Sequence, residues 1–181
     1  MTFFQNVWNI ITKYYVFLLR GVGYTLLLAL VGTLIGLLIG LLIGVFRTIP
    51  ESKHKAVRVL KKIADFILNA YIEIFRGTPM VVQLLITYYV LLPAIGAKGV
   101  EAINVGIVVF GLNSGAYISE IMRGGIMSVD RGQMEAGRAL GLSFSVSMMK
   151  IVIPQAVKNI LPTLGNEFIA LIKETSVVSF V

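Results

Sequence analysis

Gly21 to Phe46 form a run of 26 residues without a single charge. As an α-helix such a run extends ~39 Å at 1.5 Å per residue, more than the ~30 Å hydrocarbon core of a bilayer. It is too long for the apolar region of a signal peptide and has no small-residue cleavage pattern after it, so the sequence predicts a retained membrane span over 21–46. Composition agrees: 57% of the 181 residues are hydrophobic and only 14% are charged, and the mean hydropathy is +0.88. Water-soluble domains are typically ~25% charged. Lipid is the solvent for much of this chain.

The net charge of +7 lies mostly at the ends of apolar runs. Six Lys and Arg fall between Arg47 and Lys62, as expected for loops held on the cytoplasmic side of a membrane. No basic groove interleaved with aromatics accompanies them, so no nucleic-acid partner is expected. With no Cys and one His, His54, neither thiolate chemistry nor a metal site is expected. No phosphate-binding GxxxxGK[ST] loop occurs, so ATP, if used, is hydrolysed by another chain.

From these signals the chain reads as one all-α membrane domain, 1–181. Residues 1–20, with Trp8, Lys13, Tyr14, Tyr15 and Arg20, suit a helix lying at the interface. Span one is 21–46, and a basic cytoplasmic loop runs from Arg47 to Lys62, which leaves the N-terminus outside. Span two lies within 63–97, a short external loop runs from Pro93 to Glu101, and span three is 102–122. A polar segment with Arg123, Arg131, Arg138 and Lys150 marks the inside again, span four is 151–172, and a fifth span beyond Val181 is expected.

Gly32, Gly36, Gly40 and Gly44 recur every four residues, on one helical face where another backbone can approach. They read as a packing seam with an unnamed partner, or as the ordinary abundance of glycine in membrane helices. Charges within spans are costly and face a cavity or a partner. Arg76, Met80, Gln83 and Thr87 in span two, Asn113, Tyr117 and Glu120 in span three, and Asn159, Thr163, Asn166 and Glu167 in span four each fall at helical spacing. The expected substrate path is lined by Gln83, Thr87, Asn113, Ser114, Tyr117, Glu120 and Glu167. Alternatively Arg76, Glu120 and Glu167 serve structure, paired with one another or with Lys173.

Between spans three and four the sequence reads QMEAGRALGLSFSVSMMKIVIPQAVKNILP. Glu135, Ala136, Gly141, Ile151 and Pro154 stand at the spacing of the EAA loop of importer-type ATP-binding cassette permeases, with Gly137 and Ile153 at the two departures. IFRGTPMVVQ at 74–83, GLNSGAYISEIMRGGIMSVDRGQMEAG at 111–137 and LGNEFIALIKETS at 164–176 resemble the polar amino acid permeases, the histidine, glutamine and arginine group. The resemblance implies a type I importer transmembrane domain in a bacterial or archaeal cytoplasmic membrane, a second permease, two ATPase subunits that use ATP and Mg, an extracytoplasmic binding protein, and a polar or basic amino acid moved by alternating access.

In that reading 133–148 is the coupling-helix loop, with Glu135, Ala136, Gly137, Arg138, Ala139 and Gly141 meeting the ATPase. The residues alone allow the same use: a short helix begins near Gln133, stops at Gly141, and can lie flat on a soluble partner. The competing reading is a channel or an ion-coupled secondary transporter, neither of which needs a lever for an ATPase. A membrane-embedded enzyme is disfavoured, because no catalytic constellation shares a face.

Overall fold

In the computed structural model, which describes residues 2–181, every regular element is a helix. The order is α1 (Phe3–Thr48), α2 (Lys55–Gly77), α3 (Met80–Ile86), a π turn (Thr87–Leu91), α4 (Leu92–Ala94), α5 (Ala102–Ser128), α6 (Arg131–Ala139), α7 (Phe144–Ser147), a second π turn (Met148–Val152), α8 (Ile153–Glu174) and a 3-10 turn (Thr175–Phe180). This is the all-α architecture that the sequence predicts.

By length and composition α1 and α5 can each cross a membrane, and α2 with Met80–Ala94 forms a bent third candidate. The interfacial helix expected over 1–20 is not separate from span one: α1 runs unbroken through both, because nothing between Leu19 and Gly23 stops a helix except glycines tolerated in lipid. Position 1 lies outside the described residues. The basic loop is also shorter than expected, since α2 already begins at Lys55 and takes up Arg58, Lys61 and Lys62. Span two is not one helix. Proline disfavours helical geometry in the residue before it, and Thr78, extended at φ −120°, precedes Pro79. The chain turns 110° there. α8 stands where span four was expected, but Lys158, Glu167 and Lys173 make it less apolar than α1 or α5.

The glycine repeat is a seam, and its partner is α5. A Cβ at Gly32 would meet Phe110 Cβ at 3.0 Å, one at Gly36 Ser114 Oγ at 2.5 Å, one at Gly40 Ile118 Cγ2 at 2.6 Å, and one at Gly44 Met122 Cβ at 2.8 Å. The contacts rise together along both helices in steps of four, so α1 and α5 run parallel. The fit is reciprocal: Gly111 and Gly115 of α5 receive Ile35 and Ile39 of α1. Close backbone approach replaces the hydrophobic driving force that lipid cannot supply between helices.

Two apolar clusters flank this seam. Leu28, Ala29, Leu84, Val109, Phe110 and Leu171 gather α1, α3, α5 and α8 at one end. Met122, Ile126, Met148, Val152, Ala156 and Ile160 join α5, the second π turn and α8 at the other. α8 runs antiparallel to α5, with Ile160 and the Ala156 carbonyl against Gly125.

α6 starts at Arg131, two residues before the expected Gln133, because Asp130 caps it by accepting from the Gly132 N–H at 2.6 Å. Its end is a Schellman motif: the Leu142 N–H donates to the Gly137 carbonyl and the Gly141 N–H to that of Arg138. Gly141 carries the left-handed φ of +82° that this stop requires.

Candidate functional site

The break between α2 and α3 leaves the last carbonyls of α2 without partners inside the helix. Side-chain amides fill the need. Gln83 Nε2 donates to the Phe75 carbonyl at 2.8 Å and to Thr78 Oγ1 at 2.9 Å. Asn113 Nδ2 donates to the Phe75 carbonyl and to Gln83 Oε1, each at 3.1 Å. Thr78 donates its hydroxyl to the Ile74 carbonyl at 2.7 Å. Thus α5 reaches across and pins the broken span. Tyr71 adds a second tie from α2 by donating to the Leu112 carbonyl.

Beside the pinned break lies a cavity of about 270 Å³, lined by Thr78, Pro79, Met80, Asn113, Tyr117, Glu167, Ala170, Leu171 and Glu174. Arg76 stacks its guanidinium over the Tyr117 ring at 5.3 Å. With both amide nitrogens committed to the break, the charged groups on the wall are the Glu167 and Glu174 carboxylates. The cavity is therefore acidic, with one guanidinium at its edge. Continuing along the groove between α5 and α8 toward α6, a second hollow of about 290 Å³ is bordered by Glu120, Gly124, Ser128, Asn159 and Thr163. Asn159 donates to Ser128 Oγ at 3.0 Å across it.

The structure divides the expected path residues. Asn113, Tyr117 and Glu167 line the first cavity. Gln83 stands behind it as a structural prop. Thr87 donates to the Gln83 carbonyl at 2.7 Å and belongs to the π turn. Ser114 is buried in the α1–α5 seam against Gly36 and does not line the cavity. Glu120 touches the second hollow, but both its oxygens are engaged: Oε1 accepts from Arg47 Nη1, and Oε2 accepts from Arg123 Nη2 at 2.9 Å and Nε at 3.1 Å. Arg47 in turn donates to Asn69 Oδ1 at 2.8 Å. One carboxylate so ties α1, α2 and α5, with partners other than the Arg76, Glu167 and Lys173 expected from the sequence.

Thr78, Ala170 and Glu174 line the cavity without having been singled out; the Thr78–Pro79 pair was the available sign of a break, and Glu174 lies two helical turns after Glu167. Among the described residues no group of three or more His, Asp or Glu could hold a metal ion.

Replacing Glu120 by Gln leaves two guanidiniums around a neutral amide. Unpairing such partly buried charged groups costs ~1–3 kcal/mol. The expected result is a clearly lower melting temperature of the purified protein than for the wild type; an unchanged melting temperature would show that the Glu120 carboxylate is not what holds Arg47 and Arg123 together.

On the face of α6, Glu135, Ala136, Arg138 and Ala139 are exposed, and Leu140 is 81% exposed. Gly137 faces inward, where a Cβ would stand 2.7 Å from Ser147 Oγ, and half-buried Met134 packs against the cluster of α5, the second π turn and α8. These two residues seat α6 on α7 and the second π turn, and the other face of the helix is turned outward.

Residues 36–181 match the sequence profile of the binding-protein-dependent transport system inner membrane components. The chain belongs to that family. A putative glutamine transport system permease protein of Rickettsia bellii is 48% identical to this chain over 122 residues, covering 67% of this chain and 54% of that protein. The arginine transport system permease protein of Bacillus subtilis is 44% identical over 119 residues, 66% of this chain and 52% of its own length. The chain spans about half the length of the curated relatives it matches.

Among solved structures, an amino acid ABC transporter crystallised with histidines superposes with a TM-score of 0.76 at 40% identity, covering 94% of this chain and 74% of that one. An inward-facing methionine ABC transporter gives 0.71 at 22% identity, covering 89% and 72%; that likeness speaks for the fold.

Proposed function

We propose that this chain is the permease subunit of an ATP-driven importer that moves a polar or basic amino acid across the cytoplasmic membrane of a bacterium or archaeon by alternating access. The acidic cavity at the break of span two carries the reading. Glu167 and Glu174 suit an ammonium group, and Arg76 at the edge suits a carboxylate, so the two ends of an amino acid find opposite charges. The names of the relatives, glutamine and arginine transport permeases, favour the same substrate class.

The chain catalyses no bond chemistry in this reading and binds no nucleotide. ATP and Mg are used by two partner ATPases, which meet α6 through Glu135, Ala136, Arg138 and Ala139. A second permease, identical or homologous, completes the path, and an extracytoplasmic binding protein delivers the amino acid. The N-terminus lies outside, since the basic residues after α1 belong inside.

The test is uptake by proteoliposomes holding the complete transporter and its binding protein, over a panel of labelled amino acids. Import that requires ATP inside and favours polar or basic amino acids supports the proposal. Import driven by an ion gradient without ATP supports the secondary-transporter reading instead. Within the same assay Glu167→Gln is expected to lower uptake of a basic amino acid at least tenfold more than uptake of a neutral one; equal losses would remove Glu167 from substrate contact.

A further inference from the structure

α2 is strongly two-faced, but it is not oriented as a surface helix of a soluble protein would be. Its polar side turns toward α1: Lys61 sits over the Phe46 ring at 5.8 Å and pairs with Asp65 at 2.8 Å, and Asn69 accepts from Arg47. Its apolar side is left outward, with Val59 50%, Leu60 66%, Ile63 53% and Phe66 74% exposed. Lys55, Val59, Lys62 and Phe66 follow one another at i, i+4, i+7 and i+11, a single stripe of the helix. All four are exposed.

The stripe alternates a cation with an apolar side chain, and its two cations are spare. The nearby acids are engaged elsewhere, Asp65 with Lys61 and Glu51 with Arg58 at 3.7 Å. Lys55 and Lys62 have no ion-pair partner among the described residues. Seven residues of helix separate them by ~10 Å, a span that two headgroups or one doubly charged headgroup can bridge. Lysines next to outward apolar groups stretch toward headgroup depth, and each basic residue near an anionic membrane surface adds to the attraction between them.

We infer that the Lys55–Lys62 stripe of α2 is a binding site for anionic phospholipid, the phosphate held by the two ammonium groups and an acyl chain lying along Val59, Ile63 and Phe66. The inference rests on the reading of this chain as a membrane permease, but not on its substrate. It makes the first half of α2, which continues into the break beside the cavity, responsive to lipid charge.

The experiment uses the complete transporter in mixed micelles holding equal phosphatidylglycerol and phosphatidylcholine, with retained lipids counted by native mass spectrometry. The wild type is expected to retain phosphatidylglycerol preferentially, and Lys55→Gln/Lys62→Gln to lose at least about fivefold of that preference. Lys55→Arg/Lys62→Arg and Lys98→Gln, in the loop at the other end of the bundle, are expected to keep it. If the double Gln variant fails to assemble, the wild-type preference must still fall as salt rises, as headgroup attraction requires. No preference in the wild type, full preference in the double Gln variant, or a preference indifferent to salt would each overturn the inference. So would a photocrosslinker at Lys62→Cys, the sole thiol in the chain, that captures a protein subunit in place of lipid. Because lipid is counted without transport, a complex that passes this test yet imports no amino acid would overturn the proposed function alone.

Discussion

Gly40→Ala is expected to keep the protein from accumulating in the membrane in folded form, whereas Gly23→Ala is expected to leave its yield unchanged. At Gly40 even a methyl group meets Ile118 Cγ2 at 2.6 Å and the Ile118 backbone at 2.8 Å, so the two helices must move apart rather than a side chain rotate. At Gly23 nothing lies within 4 Å. Overpacking a well-filled interior costs ~1–3 kcal/mol when side chains can give way, and here backbone is in the way. Loss of most of that contact removes a large share of a stability that is only ~5–15 kcal/mol in all. Gly36→Ala should behave alike, since Ser114 stands as close there. The measurement is folded yield after detergent extraction, read by size exclusion. Normal, monodisperse yield for both seam variants would show that the approach of α1 to α5 is not what holds the bundle.

The second large effect is expected at α6. Leu140→Asp should lower amino-acid-stimulated ATP hydrolysis of the complete transporter at least tenfold, or ~1.4 kcal/mol in coupling, while the permease still inserts and extracts normally. An exposed leucine beside two exposed alanines is an apolar patch that a partner surface can cover, and an aspartate placed there would have to be buried without a partner for its charge. Ala136→Trp tests the fit from the other side, adding bulk where the helix must lie close. Gly137→Ala is distinct, because its methyl group would press on Ser147 and lift α6 off α7. Stimulated hydrolysis that stays normal in both Leu140→Asp and Ala136→Trp would exclude α6 as the contact through which ATP hydrolysis is felt.

What could be read in advance depended on whether a feature was local. The glycine repeat and the stop at Gly141 are properties of a few neighbouring residues, and both stand in the structure as the spacing implies. The identity of the seam's partner was not legible, because Phe110, Ser114, Ile118 and Met122 look like any span interior until two helices are laid together. The polar stripe of span two failed for a physical reason: it counted Arg76, Met80, Gln83 and Thr87 along one continuous helix, and Thr78–Pro79 breaks that helix between the first two. Hydropathy runs on through the break without a sign of it.

Likewise, Asn113 and Ser114 are neighbours in sequence but a helix turns ~100° between them, and one faces the cavity while the other faces α1. Glu120 shared a stripe with Tyr117, yet Arg47, far off in sequence, claims it. Gln83 could not be recognised as a prop, since the carbonyls it satisfies exist only because the chain bends.

The regular step along the α1–α5 seam has a mechanical side. Ridge and notch repeat at four-residue intervals in both helices, so a small slide of one past the other drives Ile118 or Met122 against a glycine backbone, and the next comfortable register lies a full ~6 Å away. The two helices are geared together and must travel as one beam. Any widening or narrowing of the groove beside Tyr117 then has to be absorbed elsewhere, and the extended pair Thr78–Pro79, with its 110° turn, is an elbow that can bend without stripping those gears once the Gln83 and Asn113 amides let go of the Phe75 carbonyl.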